Sequence, residues 1–253
     1  MKRSFDKKIC PILFSGHNER AVITLCRHLS ESSVRFYIVA RDRKDVIFKT
    51  KWRKNVIVLR QTSDLTTDLI SHISQAVQNR GLIPALCPTS EFLNQFFLTN
   101  TDDIQKHGWH LTLPSSDIYS ILSDKLYAPR EMQPLAGIKA PDSLPDDYWT
   151  APCVLKPKTN IQEGAVHYPI ICRTQKQLQD SIDKIHPSQW FAQKWVDGRS
   201  IYLCAYLDRQ GGWNAYWQEN LLQQSGGKSI VLAHTCKNPG IDVSKLMKGL
   251  KKK

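Results

Sequence analysis

The sequence predicts an α/β domain built on a parallel sheet, followed by an α+β part in which antiparallel strands dominate. Three observations predict it. From residue 9 to about 113, short apolar runs alternate with amphipathic segments, the pattern of helices laid on a parallel sheet. Prolines at Pro141, Pro145 and Pro152 then space out a connector. From Cys153 onward, strand-like runs follow one another with a single helical segment among them, which suits a mostly antiparallel sheet carrying one helix.

The first strand is "ICPILFSG" and the first helix "NERAVITLCRHLSES"; "VRFYIVA" and "NVIVL" read as the next two strands. The helix from Asp64 to Arg80 repeats Leu65, Leu69, Ile73 (or His72) and Ala76 to Val77 at helical spacing, with Asp64 as its cap and Gly81 as its end. "LIPALCP" is the fourth strand. Thr89 or Ser90 caps the helix after it, which buries Phe92, Leu93, Phe96 and Phe97. Two helical turns end at Gly137, and a new domain begins near Leu113. Beyond the connector come the strands "CVLKP" and "AVHYPIICR", the helix "TQKQLQDSIDKI", and the strands "WFAQKWV", "RSIYLCAYLDRQGGWNAYWQEN" and "SIVLAHTCK". "WQEN" is expected to be a strand end running into the turn "LLQQSGGKS".

A chain of 253 residues, 41% hydrophobic, can bury a sizeable core. Its 35 Lys and Arg against 23 Asp and Glu give a formal charge of +12, which suits an anionic partner such as a nucleotide, a nucleic acid or a membrane surface. No run of about 18 uncharged apolar residues occurs, and "MKRSFDKKICPILFSG" has too short an apolar stretch for an export signal, so a cytoplasmic protein is expected. The seven cysteines are odd in number and lack C-x-x-C spacing, as expected of buried free thiols in a reducing compartment.

One stretch carries the functional question. In "APCVLKPKTNIQEGAV" an apolar strand delivers Lys156 at its end, followed by Pro157 and Lys158. Taken alone, Lys156 would be a surface lysine with its stem on the sheet. The order of a helix carrying "SDKLYAPREM", then "AGIKAPDS", "VLKP", a helix, "FAQKWVDG" and the long strand "RSIYLCAYLD" resembles the ATP-grasp superfamily over nearly the whole chain. The resemblance implies a pre-ATP-grasp α/β domain at residues 1–113, an ATP-grasp N-terminal subdomain at 114–190 and an incomplete C-terminal subdomain at 191–253. It also implies ATP as ligand. Lys125, presented from a helix, and Lys156, at its strand end, would contact the phosphates, and Gln193, Lys194 and Val196 would lie where backbone groups read the adenine edge. The family more often has Glu where Gln193 stands.

The sequence departs from the family in two places. The loop "KTNIQEGAVHY" has Gly164 as its single glycine where relatives carry a glycine-rich lid over the phosphates. Mg²⁺ is expected for the family, but the late E-x-N carboxylates that hold it have no counterpart before "KLMKGLKKK", so the chain reads as truncated inside its last subdomain. The tail from Asp242 could be a helix, with Ile241, Leu246 and Leu250 at helical spacing, or a basic arm.

Three functions follow. One is an ATP-dependent ligase acting on an unidentified carboxylate through an acylphosphate. Another is a nucleotide-binding pseudoenzyme or half-enzyme, completed by a homo-oligomer or a partner chain that supplies metal ligands. The least favoured is a basic nucleic-acid module with Trp213, Tyr216 and Trp217 as a stacking patch. A membrane role is not expected. His17 after the first strand, and Asp197 and Ser200 in the "DGRS" turn, are weaker candidates for substrate and ribose contacts.

Overall fold

The structure is a computed structural model that describes residues 8–16, 18–60, 64–137, 139–146, 148–158, 161–162, 165–208, 210–224 and 229–250. It divides into two compact units, residues 1–116 and 117–253.

In the first unit β1 (Ile9–Phe14), β2 (Tyr37–Ala40), β3 (Val56–Leu59) and β4 (Ile83–Leu86) form a parallel sheet in the order β3-β2-β1-β4. Strand alternation splits β1 between two cores. Cys10, Ile12 and Phe14 face α2 (Thr67–Gln78) and α3 (Glu91–Thr99), where Phe97 and Trp109 meet edge to face. Leu13 faces the other way, toward Val22 and Cys26 of α1 (Glu19–Glu31) and toward Trp52. A short helix, α4 (Thr101–Lys106), precedes Trp109.

Two local expectations shift here. The cap of α2 is Thr66, whose side chain accepts from the Leu69 amide, and not Asp64. Capping at Thr66 leaves Leu65 just outside the helix, where it joins Ile70 in the same core as a hydrophobic staple. The buried stripe of α2 therefore runs Ile70, Ile73, Ser74, Val77, with Leu69 at its margin. In α3 the cap is Ser90, and Leu93 and Phe97 are buried, whereas Phe92 is exposed. One helical face cannot hold four bulky residues spread over both sides of the axis.

The second unit opens with α5 (Ser116–Ser123) and α6 (Tyr127–Ala136), the latter ended by Gly137 in the left-handed conformation at φ +67°. Strands β5 (Cys153–Pro157), β8 (Ile170–Cys172) and β9 (Trp190–Lys194) form an antiparallel sheet in the order β8-β5-β9, and β6 (Ile161–Gln162) pairs with β7 (Ala165–Val166). The expected single strand "AVHYPIICR" is thus two, β7 and β8, separated by a segment containing Pro169, which has no N–H to give a ladder. Helix α7 (Gln175–Ile182) starts with a full capping box, Thr174 with Gln177.

A third antiparallel sheet, β10-β11-β12, contains β10 (Ser200–Leu207), β11 (Trp213–Gln223) and β12 (Ile230–Cys236). Glu219 and Asn220 lie inside β11, which runs on to Gln223, so "WQEN" is mid-strand and not a strand end. Alternation along β11 also puts Tyr216 on the face opposite Trp213 and Trp217, so the three do not form one stacking patch.

The tail is the helix α8 (Val243–Leu250). Leu246 and Met247 are buried against Met132 and Leu135 of α6 and Leu203 of β10, which makes it a packed element and not a basic arm. The contact is close: a Cβ added at Gly249 would come within 2.6 Å of the Leu135 side chain. No helix among the described residues is long and apolar enough to cross a membrane.

All seven cysteines are free, and Cys10, Cys26, Cys153 and Cys172 are buried. Burial pushes the Cys26 thiol up to about 12 and those of Cys10 and Cys153 up to about 11. A thiol held that high presents almost no thiolate near neutrality. Iodoacetamide at about pH 8, with sites read by mass spectrometry, is therefore expected to spare these three in the folded chain and to reach them once it is unfolded. Alkylation of Cys26 at its denatured rate in the native chain would contradict the burial.

Candidate functional site

The β8-β5-β9 sheet has two unlike faces. Cys153, Leu155, Cys172, Trp190 and Ala192 form an apolar core with Leu178 of α7 on one of them. Alternation sends Val154 and Lys156 to the other face, where register sets Gln193 opposite Val154 and Phe191 opposite Lys156. Lys156 and Gln193 are therefore diagonal neighbours, and the Lys156 ammonium donates to Gln193 Oε1 at 2.7 Å. The Gln193 amide group in turn donates to the Pro141 carbonyl at 3.3 Å, and the residue is 4% exposed.

The charge of Lys125 reaches this place. Lys125 lies in the turn between α5 and α6, not within a helix, because Asp124 Oδ1 accepts the Leu126 and Tyr127 amides, both at 2.7 Å, and starts α6 after it. The pKa of Lys156 is lowered below the usual lysine value, first by burial and then by the charge of Lys125. The half-buried Lys156 thus feels the charge of Lys125. An anion entering there would relieve both the desolvation and the repulsion.

The other anticipated positions are placed differently. Lys194 is exposed and pairs with Asp142 at 3.1 Å, and Val196 is exposed. The Lys194 amide donates to the Asp142 carbonyl and the Trp195 amide to the Pro152 carbonyl, so these two N–H groups are committed within the fold. Lys158 donates to the Ser188 carbonyl at 2.8 Å. Asp197 accepts the Gly198 amide, and Ser200 Oγ accepts from Asn220 at 2.9 Å. His17 and Gly164 lie outside the described residues.

Sequence reasoning missed the supports of this site. The proline-spaced connector is a third partner of the sheet: Leu144 donates to the Ala192 carbonyl, and Ser143 bridges Gln193. Its Pro141 carbonyl holds Gln193, and its Asp142 holds Lys194. The alternation of prolines hid this pairing. The available signal was "SDK", in which an aspartate precedes a helical run and so fixes where Lys125 stands.

Among the described residues, no group of three or more His, Cys, Asp and Glu side chains is gathered as a metal site. The Glu219 carboxylate accepts from Arg199 at 2.6 and 2.5 Å and meets His234 at 3.3 Å. The hydrogen-bonded Arg199 holds the Glu219 pKa below the usual carboxylate range. A carboxylate already held in two bonds by a guanidinium is a poor ligand for a further cation.

No protein-family model matches the sequence. No curated protein matches it by sequence either. Solved structures do match. The biotin carboxylase domain of 2-oxoglutarate carboxylase from Hydrogenobacter thermophilus, solved with MgADP, ADP and bicarbonate, has a TM-score of 0.63 at 14% identity over 96% of this chain. An L-amino acid ligase from Bacillus licheniformis gives 0.58 at 11% identity over 97%. N5-carboxyaminoimidazole synthase from Aspergillus clavatus, solved with ADP and 5-aminoimidazole ribonucleotide, gives 0.56 at 9% over 87%. The chain spans 58%, 60% and 55% of these three proteins. At the level of fold they bear out the ATP-grasp resemblance read from the order of elements, an α/β domain followed by α+β sheets.

Proposed function

We propose that this chain binds ATP, with the phosphates held by Lys125 and Lys156. The observation that carries the reading is Lys156, half-buried on the face of the β8-β5-β9 sheet opposite its apolar core, hydrogen-bonded to Gln193 and lowered in pKa by burial and by the charge of Lys125. Gln193 positions Lys156 through a neutral acceptor, which orients the ammonium without cancelling its charge. With the Lys194 and Trp195 amides committed, the Lys194 carbonyl and the Val196 amide are the backbone groups we assign to the adenine edge. The activity of the whole protein would be ATP-dependent ligation of a carboxylate through an acylphosphate. A second reading, nucleotide binding with metal ligands supplied from outside these residues, is favoured by the engagement of Glu219 with Arg199 and His234.

Calorimetric titration with ATP, with and without Mg²⁺, tests the proposal. Saturable binding at or below about 1 mM is expected, and it should persist when Mg²⁺ is withheld. The absence of saturation in either condition would remove the reading. ADP formation on adding Mg²⁺ and candidate carboxylates separates the ligase from the metal-dependent half-enzyme.

Affinity should also fall at alkaline pH. Binding needs the charged ammonium of Lys156, whose folded pKa is lowered, so affinity is steady below that pKa and declines as pH rises through it, before the ~10.4 of an ordinary lysine. The sign for folding is opposite. A lysine depressed in the folded state disfavours folding at neutral pH, and the penalty fades as pH rises through its folded pKa. An affinity profile flat to the pKa of a free lysine would place Lys156 outside the site.

A further inference from the structure

One face of the β10-β11-β12 sheet carries a chemistry that the nucleotide reading does not use. On β10, Tyr202, Cys204 and Tyr206 point to one side, and register sets Tyr216 of β11 opposite Cys204. Leu203 points to the other side, where α8 packs. Three tyrosines therefore share the face opposite α8, and Tyr202, Tyr206 and Tyr216 are 50%, 66% and 55% exposed. Strand rise and strand spacing put the backbone of Tyr202 about 13 Å from that of Tyr206, with Tyr216 between them at about 8 Å from each.

The polar groups beside the rings are already ordered. Gln218 donates to Asn220 Oδ1 at 2.8 Å, and Asn220 donates to Ser200 Oγ at 2.9 Å, which leaves Gln218 Oε1 as the acceptor at the end of the chain. No Lys, Arg, Asp or Glu stands on this face in the paired register. The surrounding sequence is basic. Residues 199–253 contain nine Lys and Arg against three Asp and Glu, and Lys237, which is exposed, follows β12 directly.

Size and chemistry narrow the occupant. Eight residues of β10 and three strands give a face of roughly 26 by 14 Å, about 370 Å², less than half the ~800 Å² per partner of a stable protein interface. Exposed rings on a sheet, with amides beside them and a basic chain around them, are the parts of a platform for unpaired bases, whose rings stack while their phosphates pass outside. We propose that this face binds single-stranded nucleic acid, with bases stacked on Tyr202, Tyr206 and Tyr216 and a base edge read by Gln218. A neutral sugar polymer would use the same rings but gain nothing from the positive charge.

The probe is fluorescently labelled octauridylate, titrated into the full chain at about 50 mM salt. Saturable binding at or below about 100 μM is expected. Tyr206→Ala and Tyr216→Ala should each weaken it about 5- to 150-fold, the equivalent of one lost base–aromatic stack, while Tyr206→Phe and Tyr216→Phe keep the ring and stay within about twofold. An abasic ribose-phosphate octamer of equal charge should bind at least about tenfold more weakly. No saturation by octauridylate overturns the proposal. So does equal binding of the abasic strand, which would reduce the contact to charge alone. Alanine variants that bind as the parent chain does would place the strand elsewhere, and saturable binding of cellohexaose in place of octauridylate would make the face a sugar platform; either result also overturns it.

Discussion

Replacing Lys156 by methionine is expected to weaken ATP binding by about 10- to 150-fold, while Lys158→Met leaves it within about twofold. The magnitude follows from the roughly 1.5 to 3 kcal/mol that a charged hydrogen bond contributes after water is displaced. Methionine keeps the length and apolar stem that lie on the sheet, so the change removes the charge and leaves most of the packing. Lys158 is the appropriate control. It is two residues away on the same strand line, yet its ammonium is committed to the Ser188 carbonyl. Calorimetric titration of both variants decides the matter, with hydrogen exchange at Leu155 and Ala192 confirming that the sheet is intact. Equal losses from the two substitutions would mean that general charge, and not the pairing of Lys156 with Lys125, draws the nucleotide.

Asp45→Ala should destabilise the first unit by about 3 to 5 kcal/mol, because it removes a buried carboxylate that accepts three hydrogen bonds and offsets the charge of the buried Arg60. Asp45 is 3% exposed. Its Oδ1 accepts the Ser15 hydroxyl at 2.7 Å and the Ile47 amide at 3.0 Å, and its Oδ2 accepts the Arg41 amide at 3.0 Å. Arg60, 7% exposed, donates to the Ser15 carbonyl at 2.7 Å. Burial lowers the Arg60 pKa, and the Asp45 carboxylate works against that shift. Removing the carboxylate deprives three donors of their acceptor and takes a favourable charge away from Arg60. Amide exchange at Phe14 and Val39, in strands the network ties together, gives the measurement. A loss below about 1 kcal/mol would show that water replaces the carboxylate without strain.

The two expectations rest on different kinds of information. Lys156 was legible in the sequence because a strand's period is local: an apolar run of Cys153, Val154 and Leu155 names its own end and the residue that stands there. The network around Asp45 was not. Asp45 is 30 positions from Ser15, and Arg60 is 45 positions from the carbonyl it meets, so no window of neighbouring residues contains the pattern. The same limit applied within the site. Gln193 could be placed on a strand, but its bond to Lys156, 37 positions away, depends on the register of β5 against β9.

The sequence by itself determined the alternation of strands and helices, the change of character after the connector, and a lysine at the end of β5, because hydrophobic period, capping residues and turn chemistry act over a few residues. Tertiary structure alone decided that "SIYLCAYLD" and its neighbours form a sheet separate from β5 and β9, that the connector joins β9, that the basic tail packs as α8 on α6, and that Gln193 accepts from Lys156. The physical reason is common to all four. Pairing register and the burial of one apolar face against another are properties of surfaces that meet only after the chain has folded, and their partners are chosen by shape and satisfied hydrogen bonds rather than by proximity in sequence.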